Sequence, residues 1–147
     1  IVMAIKHATD EGALVALLVD RPRPEDPALP AAFMGQGAMF PTSPWLIAAA
    51  LKVPVVLAFG LYHGGNRYQL VFETFSEGLD LPRRQRAPAL AALIRDYAAR
   101  LEHYTRSAPY NWFNFYDFWN NRHADAPHLA VDADTAVQRR TAMRRIA

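Results

Sequence analysis

The sequence has no cysteine, which excludes a disulfide scaffold and a thiolate-ligated metal site and suits a reducing compartment. It also lacks a long apolar run: VPVVLAFGLY, residues 53–62, falls well short of the roughly 20 residues that cross a bilayer. No basic start followed by an apolar core marks a secretion signal. G-x-S-x-G, a Walker loop and G-x-G-x-x-G are all missing, and with them the commonest signatures of hydrolases and nucleotide enzymes. Histidines stand at 7, 63, 103, 123 and 128. None belongs to an H-E-x-x-H motif, and His123 and His128 flank ADAP across a proline, a weak spacing for metal, so no metal site is expected.

What is present suits one globular domain. The 147 residues are long enough to bury a core, and 52% hydrophobic with 20% charged residues is not a disordered composition. A formal charge of +2 is too small to mark a nucleic-acid binder without a clustered basic stripe. Arginines do cluster at 83, 84 and 86, and again at 139, 140, 144 and 145; they read as solvated faces, with electrostatic docking as the alternative. The chain opens on Ile1, within an amphipathic segment, and is expected to continue a longer polypeptide.

Along the chain, residues 2–11 read as a helix stopped by Gly12. ALVALLVD, residues 13–20, has the continuous apolar character of a buried parallel strand. RPRPEDPALP then reads as a stiff surface loop, and FMGQGAMFPTSP as a second irregular stretch. A short buried helix is expected over 45–52, with Thr42 or Ser43 as cap and Pro44 in its first position. A second buried strand follows over 53–62, so that strand, loop, helix and strand form a right-handed βαβ crossover. HGGN makes a tight reversal into an antiparallel strand, RYQLVFETF. Leu90, Leu93, Ile94, Tyr97, Leu101 and Tyr104 form the apolar stripe of a helix over 88–106. A basic terminal helix is expected over 132–146. The sum is an α/β domain with a mixed sheet.

Near the C-terminal end, APYNWFNFYDFW packs seven aromatics between Tyr110 and Trp119. At helical spacing Trp112, Phe115, Tyr116 and Trp119 share a face, opposite Asn111, Asn114, Asp117 and Asn121. Such a helix docks its rings onto the core or serves as an interfacial lid. Base stacking fits least, because only Arg122 lies near.

Two places look built for a ligand. Asp20 and Arg21 follow a buried strand, where open α/β sheets place their sites, and a guanidinium suits phosphate or carboxylate; the alternative is that the two pair with each other. In FMGQGAMFPTSP, two glycines permit close backbone approach, and Thr42 and Ser43 stand at a helix start that favours anions; the alternative is an ordinary loop and cap. Together they suggest an anionic-ligand cleft.

The order GALVALLVDR, proline-rich loop, FMGQGAMFPTSPWLIAAALKVPVVLAF, RYQLVFETF and APYNWFNFYDFW resembles the C-terminal half of the lysophospholipid acyltransferase superfamily, nearest its bacterial lipid A late acyltransferase branch. The resemblance covers about residues 1–122; residues 123–147 form an extension outside it. It implies an α/β fold with a mixed, mainly parallel sheet flanked by helices. It also implies transfer of a fatty acyl group from acyl carrier protein or coenzyme A to a hydroxyl of a lipid or glycolipid, without a further cofactor and without nucleic acid. Residues implied to contact substrate are Asp20 and Arg21, then Phe33, Gly35 and Gln36 of the F-x-G block, then Phe40, Pro41, Thr42 and Ser43 of the F-P-x-G block. Arg21 would hold a phosphate. Ser43 departs from the family, whose members commonly carry glycine there.

The family's base is the histidine of a His-x-x-x-x-Asp/Glu pair, which suits deprotonation of a hydroxyl near neutral pH. Five residues after this chain's histidines stand Gly12, Tyr68, Ala108, His128 and Ala133, so the pair is expected upstream of residue 1. A non-catalytic acyl- or lipid-binding module that keeps the fold is the alternative. The resemblance further implies the cytoplasmic face of the inner membrane, reached peripherally or through an anchor outside this chain.

Overall fold

The computed structural model of the chain describes residues 2–23, 25–115 and 117–119. The helix α1, Val2–Asp10, ends as its sequence requires. Gly12 takes φ +78°, and Ala13 donates its N–H to the Ala8 carbonyl, closing the last turn. No residue of α1 is buried.

Residues 13–19 do not form the expected strand. A strand exists only where a neighbour takes its N–H and C=O groups, and neither described ladder includes this segment. Its apolar side chains accordingly lack cover: Leu14 and Leu18 are 90% and 85% exposed, and only Val19 packs against the core. The crossover expected between 13–20 and the later strand is therefore not among the described elements, and both described sheets are antiparallel pairs.

The proline loop and the stretch after it are more regular than expected. Strand β1, Ala28–Phe33, pairs antiparallel with β2, Gln36–Pro41, from Ala28↔Pro41 to Phe33↔Gln36. The turn is Met34–Gly35, with φ +54° and +84°, the two left-handed residues that a primed hairpin turn demands. Period-two burial, easily masked by prolines and glycines, is present: Ala31, Phe33, Ala38 and Phe40 are buried. Pro30 is tolerated because a two-stranded ribbon leaves each strand an unpaired edge. At the base of the hairpin, both the N–H and the Oγ1 hydroxyl of Thr42 donate to the Pro27 carbonyl.

Helix α2, Ser43–Leu51, carries Pro44 in its first turn and ends on Lys52 in the left-handed region. Strands β3, Val55–Tyr62, and β4, Tyr68–Ser76, form the second hairpin. His63 and Arg67 close its loop through backbone bonds, with Gly64, Gly65 and Asn66 all at positive φ. Leu57 and Phe59 face inward. The outer face sets Ala58 opposite Phe72, Gly60 opposite Leu70 and Tyr62 opposite Tyr68. Leu70 and Phe72 there are 68% and 67% exposed.

Helix α3, Arg86–Ser107, buries Leu90, Ile94, Tyr97, Ala98, Leu101 and Thr105, matching the apolar stripe. It holds both hairpins. Glu102 accepts the Met34 N–H from the first, while Glu73 of the second accepts from Arg100 and Tyr104. The Tyr104 ring also stacks on Phe59 at 4.0 Å. The result is a mixed α/β arrangement of helices and small antiparallel sheets.

The aromatic stretch is not a helix. A 3-10 turn, Pro109–Asn111, leads into an irregular segment. Its rings obey the shape of the core rather than a helical period: Trp112, Phe118 and Trp119 lie 5.0, 5.6 and 6.4 Å from Phe33, and the Trp119 indole N–H donates to the Phe33 carbonyl. Phe115, assigned to the buried helical face, is 95% exposed. Tyr116, Asn121, Arg122 and the basic helix over 132–146 lie outside the described residues. Among the described residues no helix is long and apolar enough to cross a membrane.

Candidate functional site

The residues singled out in the sequence divide into two groups at opposite ends of the β1–β2 hairpin. Its paired length of six positions corresponds to about 17 Å at ~3.4 Å per residue.

At the turn end stand Phe33, Gly35 and Gln36. Phe33 is fully buried under the C-terminal rings. Gly35 has open space where a Cβ would be, so its φ of +84°, not close approach, requires glycine. Gln36 is exposed. Met34 and Glu102 belong to this corner, and neither was legible as part of it.

At the base stand Phe40, Pro41, Thr42 and Ser43, and the Asp20–Arg21 segment lies within electrostatic reach of Tyr97, which packs on Phe40. Arg21 donates through Nε and Nη2 to a single Asp20 oxygen. Both charges act on Tyr97 of α3, whose phenol is pushed well above its usual pKa by burial first, with the Asp20 carboxylate adding and Arg21 opposing. The Tyr97 ring meets Phe40 at 5.8 Å and Trp45 at 5.1 Å. Tyr97 thus packs on Phe40 and Trp45 and feels the charges of a segment about twenty residues earlier in sequence. Thr42 is committed to Pro27 and gives α2 no side-chain cap; Ser43 is half-buried in the first helical turn.

The pair alternative for Asp20 and Arg21 is therefore realised, and it changes the chemistry. The guanidinium edge that would grip a phosphate already grips a carboxylate. What remains at this end is an aromatic corner with hydrogen-bond donors, not a strongly cationic one. Sequence reasoning counted Tyr97 and Trp45 only as core residues; their identity as large aromatics with a polar tip was the available signal.

A second polar cluster lies between β4 and α3. The Arg100 guanidinium holds the Glu73 carboxyl below its ordinary range, with Tyr104 contributing, and Glu73 in turn raises Arg100. Beside it, Phe59, Leu61, Leu101, Thr105, Asn111 and Trp112 line a mostly apolar recess, closed at one side by the Tyr62 N–H donating to Asn111. Among the described residues no group of three or more His, Cys, Asp or Glu could hold a metal ion.

No protein-family model matches this chain, and neither a curated protein nor a solved structure matches it.

Proposed function

We propose that this chain supplies the substrate-side part of an acyltransferase. The reaction moves a fatty acyl group from a thioester of acyl carrier protein or coenzyme A to a hydroxyl of a lipid or glycolipid. The observation that carries the reading is the packing of Phe40 and Trp45 on Tyr97, within electrostatic reach of Asp20 and Arg21. One segment matched to the family's substrate blocks lines this aromatic corner, and the other, its two charges paired with each other, acts on the same tyrosine electrostatically.

On this reading residues 1–122 are the C-terminal portion of the acyltransferase-like domain, and the unpaired segment 13–19 takes a place beside β3 in a mainly parallel sheet. The apolar outer face of β3–β4 and the exposed leucines of 13–19 support a larger apolar assembly than the described elements make alone. The base is the histidine of a His-x-x-x-x-Asp/Glu pair encoded before residue 1, and the protein works at the cytoplasmic face of the inner membrane. Thioester attack also needs donors for the developing oxyanion, a role left to Ser43 because Thr42 donates through both its N–H and its hydroxyl to Pro27.

The test is transfer of a radiolabelled acyl group from acyl carrier protein or coenzyme A to lipid by the protein with all of its encoded upstream sequence. Label in the lipid fraction is expected, and its loss on changing the upstream histidine to alanine. Thioester binding without transfer would make the protein a non-catalytic acyl-binding module, the reading that the absence of a His-x-x-x-x-Asp/Glu pair from this sequence favours.

A further inference from the structure

Hairpin β3–β4 meets α3 through one of its faces, by Phe59 on Tyr104 and Glu73 on Arg100. The other face carries the cross-strand pairs Val56↔Thr74, Ala58↔Phe72, Gly60↔Leu70 and Tyr62↔Tyr68, and every one of these residues is exposed. None is charged. Glu73, the one charged residue within either strand, turns its carboxylate the opposite way.

The extent of this face exceeds what a monomer ordinarily shows. Val56, Tyr62, Tyr68, Leu70 and Phe72 are between 46% and 68% exposed. Side chains of that size then leave roughly 600–700 Å² open to water, above the largest patch of a typical monomer at about 300–600 Å². Two such faces brought together would remove about 1,200–1,400 Å², within the range of about 1,200–2,000 Å² that specific, stable complexes bury.

The relief of the face selects the occupant. Strand β4 raises Leu70 and Phe72, while β3 offers only Gly60 and Ala58 beside them: a ridge along one strand, low ground along the other. Leu70 leans over Gly60, its Cδ2 3.7 Å from where a Cβ would stand, so the lowest ground is at Ala58. A two-fold axis lying in the face, parallel to the strands, sets each copy's ridge over the other copy's low strand. Isologous contact needs such self-complementarity, and two aligned sheets pack in this way. The Tyr62 and Tyr68 rings meet at 5.1 Å at one end, where their hydroxyls suit a wet rim. A lipid surface would make no use of the relief, and a charged partner would find no charge to complement.

We propose that the outer face of β3–β4 is a homodimer interface, in which Phe72 of each copy packs on Ala58 of the other about a two-fold axis parallel to the strands. This goes beyond the acyltransferase reading and stands without it, since the association is measured with no acyl donor present.

The test is sedimentation equilibrium of the full chain, alone and with all of its encoded upstream sequence. A reversible dimer in the micromolar range is expected from both. Phe72→Glu brings a carboxylate from each copy into the centre of the interface and should weaken the dimer at least about a hundredfold. Phe115→Glu, at a more exposed ring outside the two strands, should leave it unchanged. Because the chain has no cysteine, Val56→Cys and Thr74→Cys chains are then mixed and treated with a short bismaleimide. The mixed pair should crosslink faster than either chain with itself; should Phe72→Glu fail to fold by near-ultraviolet circular dichroism, this crosslink decides. The proposal is overturned by a monomer throughout the micromolar range, by a dimer that folded Phe72→Glu leaves intact or Phe115→Glu weakens equally, or by no preference for the mixed crosslink. A dimer lost once the upstream sequence is present gives the face to that sequence and overturns it too. So does a monomer that binds phosphatidylcholine vesicles through Phe72.

Discussion

The Met34 N–H donates to Glu102 Oε2 at 2.7 Å, tying the β1–β2 turn to a helix 68 residues away. Met34 itself sits at φ +54°, a conformation that costs a non-glycine residue about 1–2 kcal/mol. A charge-assisted hydrogen bond is of comparable size, so Glu102 is the external support for a turn that the local sequence only half favours. Glu102→Ala should therefore lower unfolding stability by about 1–2 kcal/mol, with Glu102→Gln recovering part of it, read by urea denaturation.

The adjacent glycine gives a cleaner contrast. Gly35→Ala meets no atom within 4 Å but inherits φ +84°, whereas Gly37→Ala meets none and has no positive φ. Alanine at 35 should cost about 1–2 kcal/mol; at 37 it should be neutral or slightly stabilising. Equal effects in denaturation would contradict the primed turn.

Acid should loosen the contact between β4 and α3. The folded-state pKa of Glu73 is lowered from 4.5 chiefly by its hydrogen bond from Arg100. Its contribution is therefore complete above the unfolded value and is lost as pH falls through the lower folded value. Both side chains are partly exposed, 28% for Glu73 and 37% for Arg100, so solvent screening keeps the effect below about 1 kcal/mol. Thermal melts from pH 7 down to about 3 should show Glu73→Gln with a flatter acid limb than the parent between the two values.

The C-terminal rings should separate sharply by position. Phe118→Ala, at 7% exposure in contact with Phe33 and Phe40, should cost about 3–5 kcal/mol. Phe115→Ala, at 95% exposure, should stay within about 0.5 kcal/mol. A helical docking of this stretch requires the opposite order.

That reversal shows where sequence patterning works and where it stops. Helix α3 was legible because Leu90, Ile94, Tyr97 and Leu101 repeat at helical spacing and bury as a stripe. The β3–β4 hairpin was legible because glycines and asparagine separate two β-rich runs, and Gly64, Gly65 and Asn66 take the backbone angles that such residues permit. In the aromatic stretch, rings fall so densely that several periods fit, and contacts with Phe33 decide instead. The β1–β2 hairpin was hidden by Pro30 and by glycines that look like loop residues. ALVALLV has strand character but no ladder partner among the described strands, and pairing is a tertiary property that local preference does not supply. At the site, Asp20 with Arg21 and Phe40 with Thr42 were named from sequence. The packing of Phe40 on Tyr97, within electrostatic reach of Asp20 and Arg21, was not, because helix and hairpin packing produces it.

The central claim is that the corner around Tyr97 seats an acyl group, and photo-crosslinking tests it most directly. A medium-chain acyl thioester with a diazirine near its carbonyl is irradiated with the full chain, and labelled peptides are located by mass spectrometry. The account predicts label concentrated in residues 19–22 and 40–46 and competed by unlabelled thioester. Label confined to the outer face around Leu70 and Phe72, or unaffected by competitor, would contradict it.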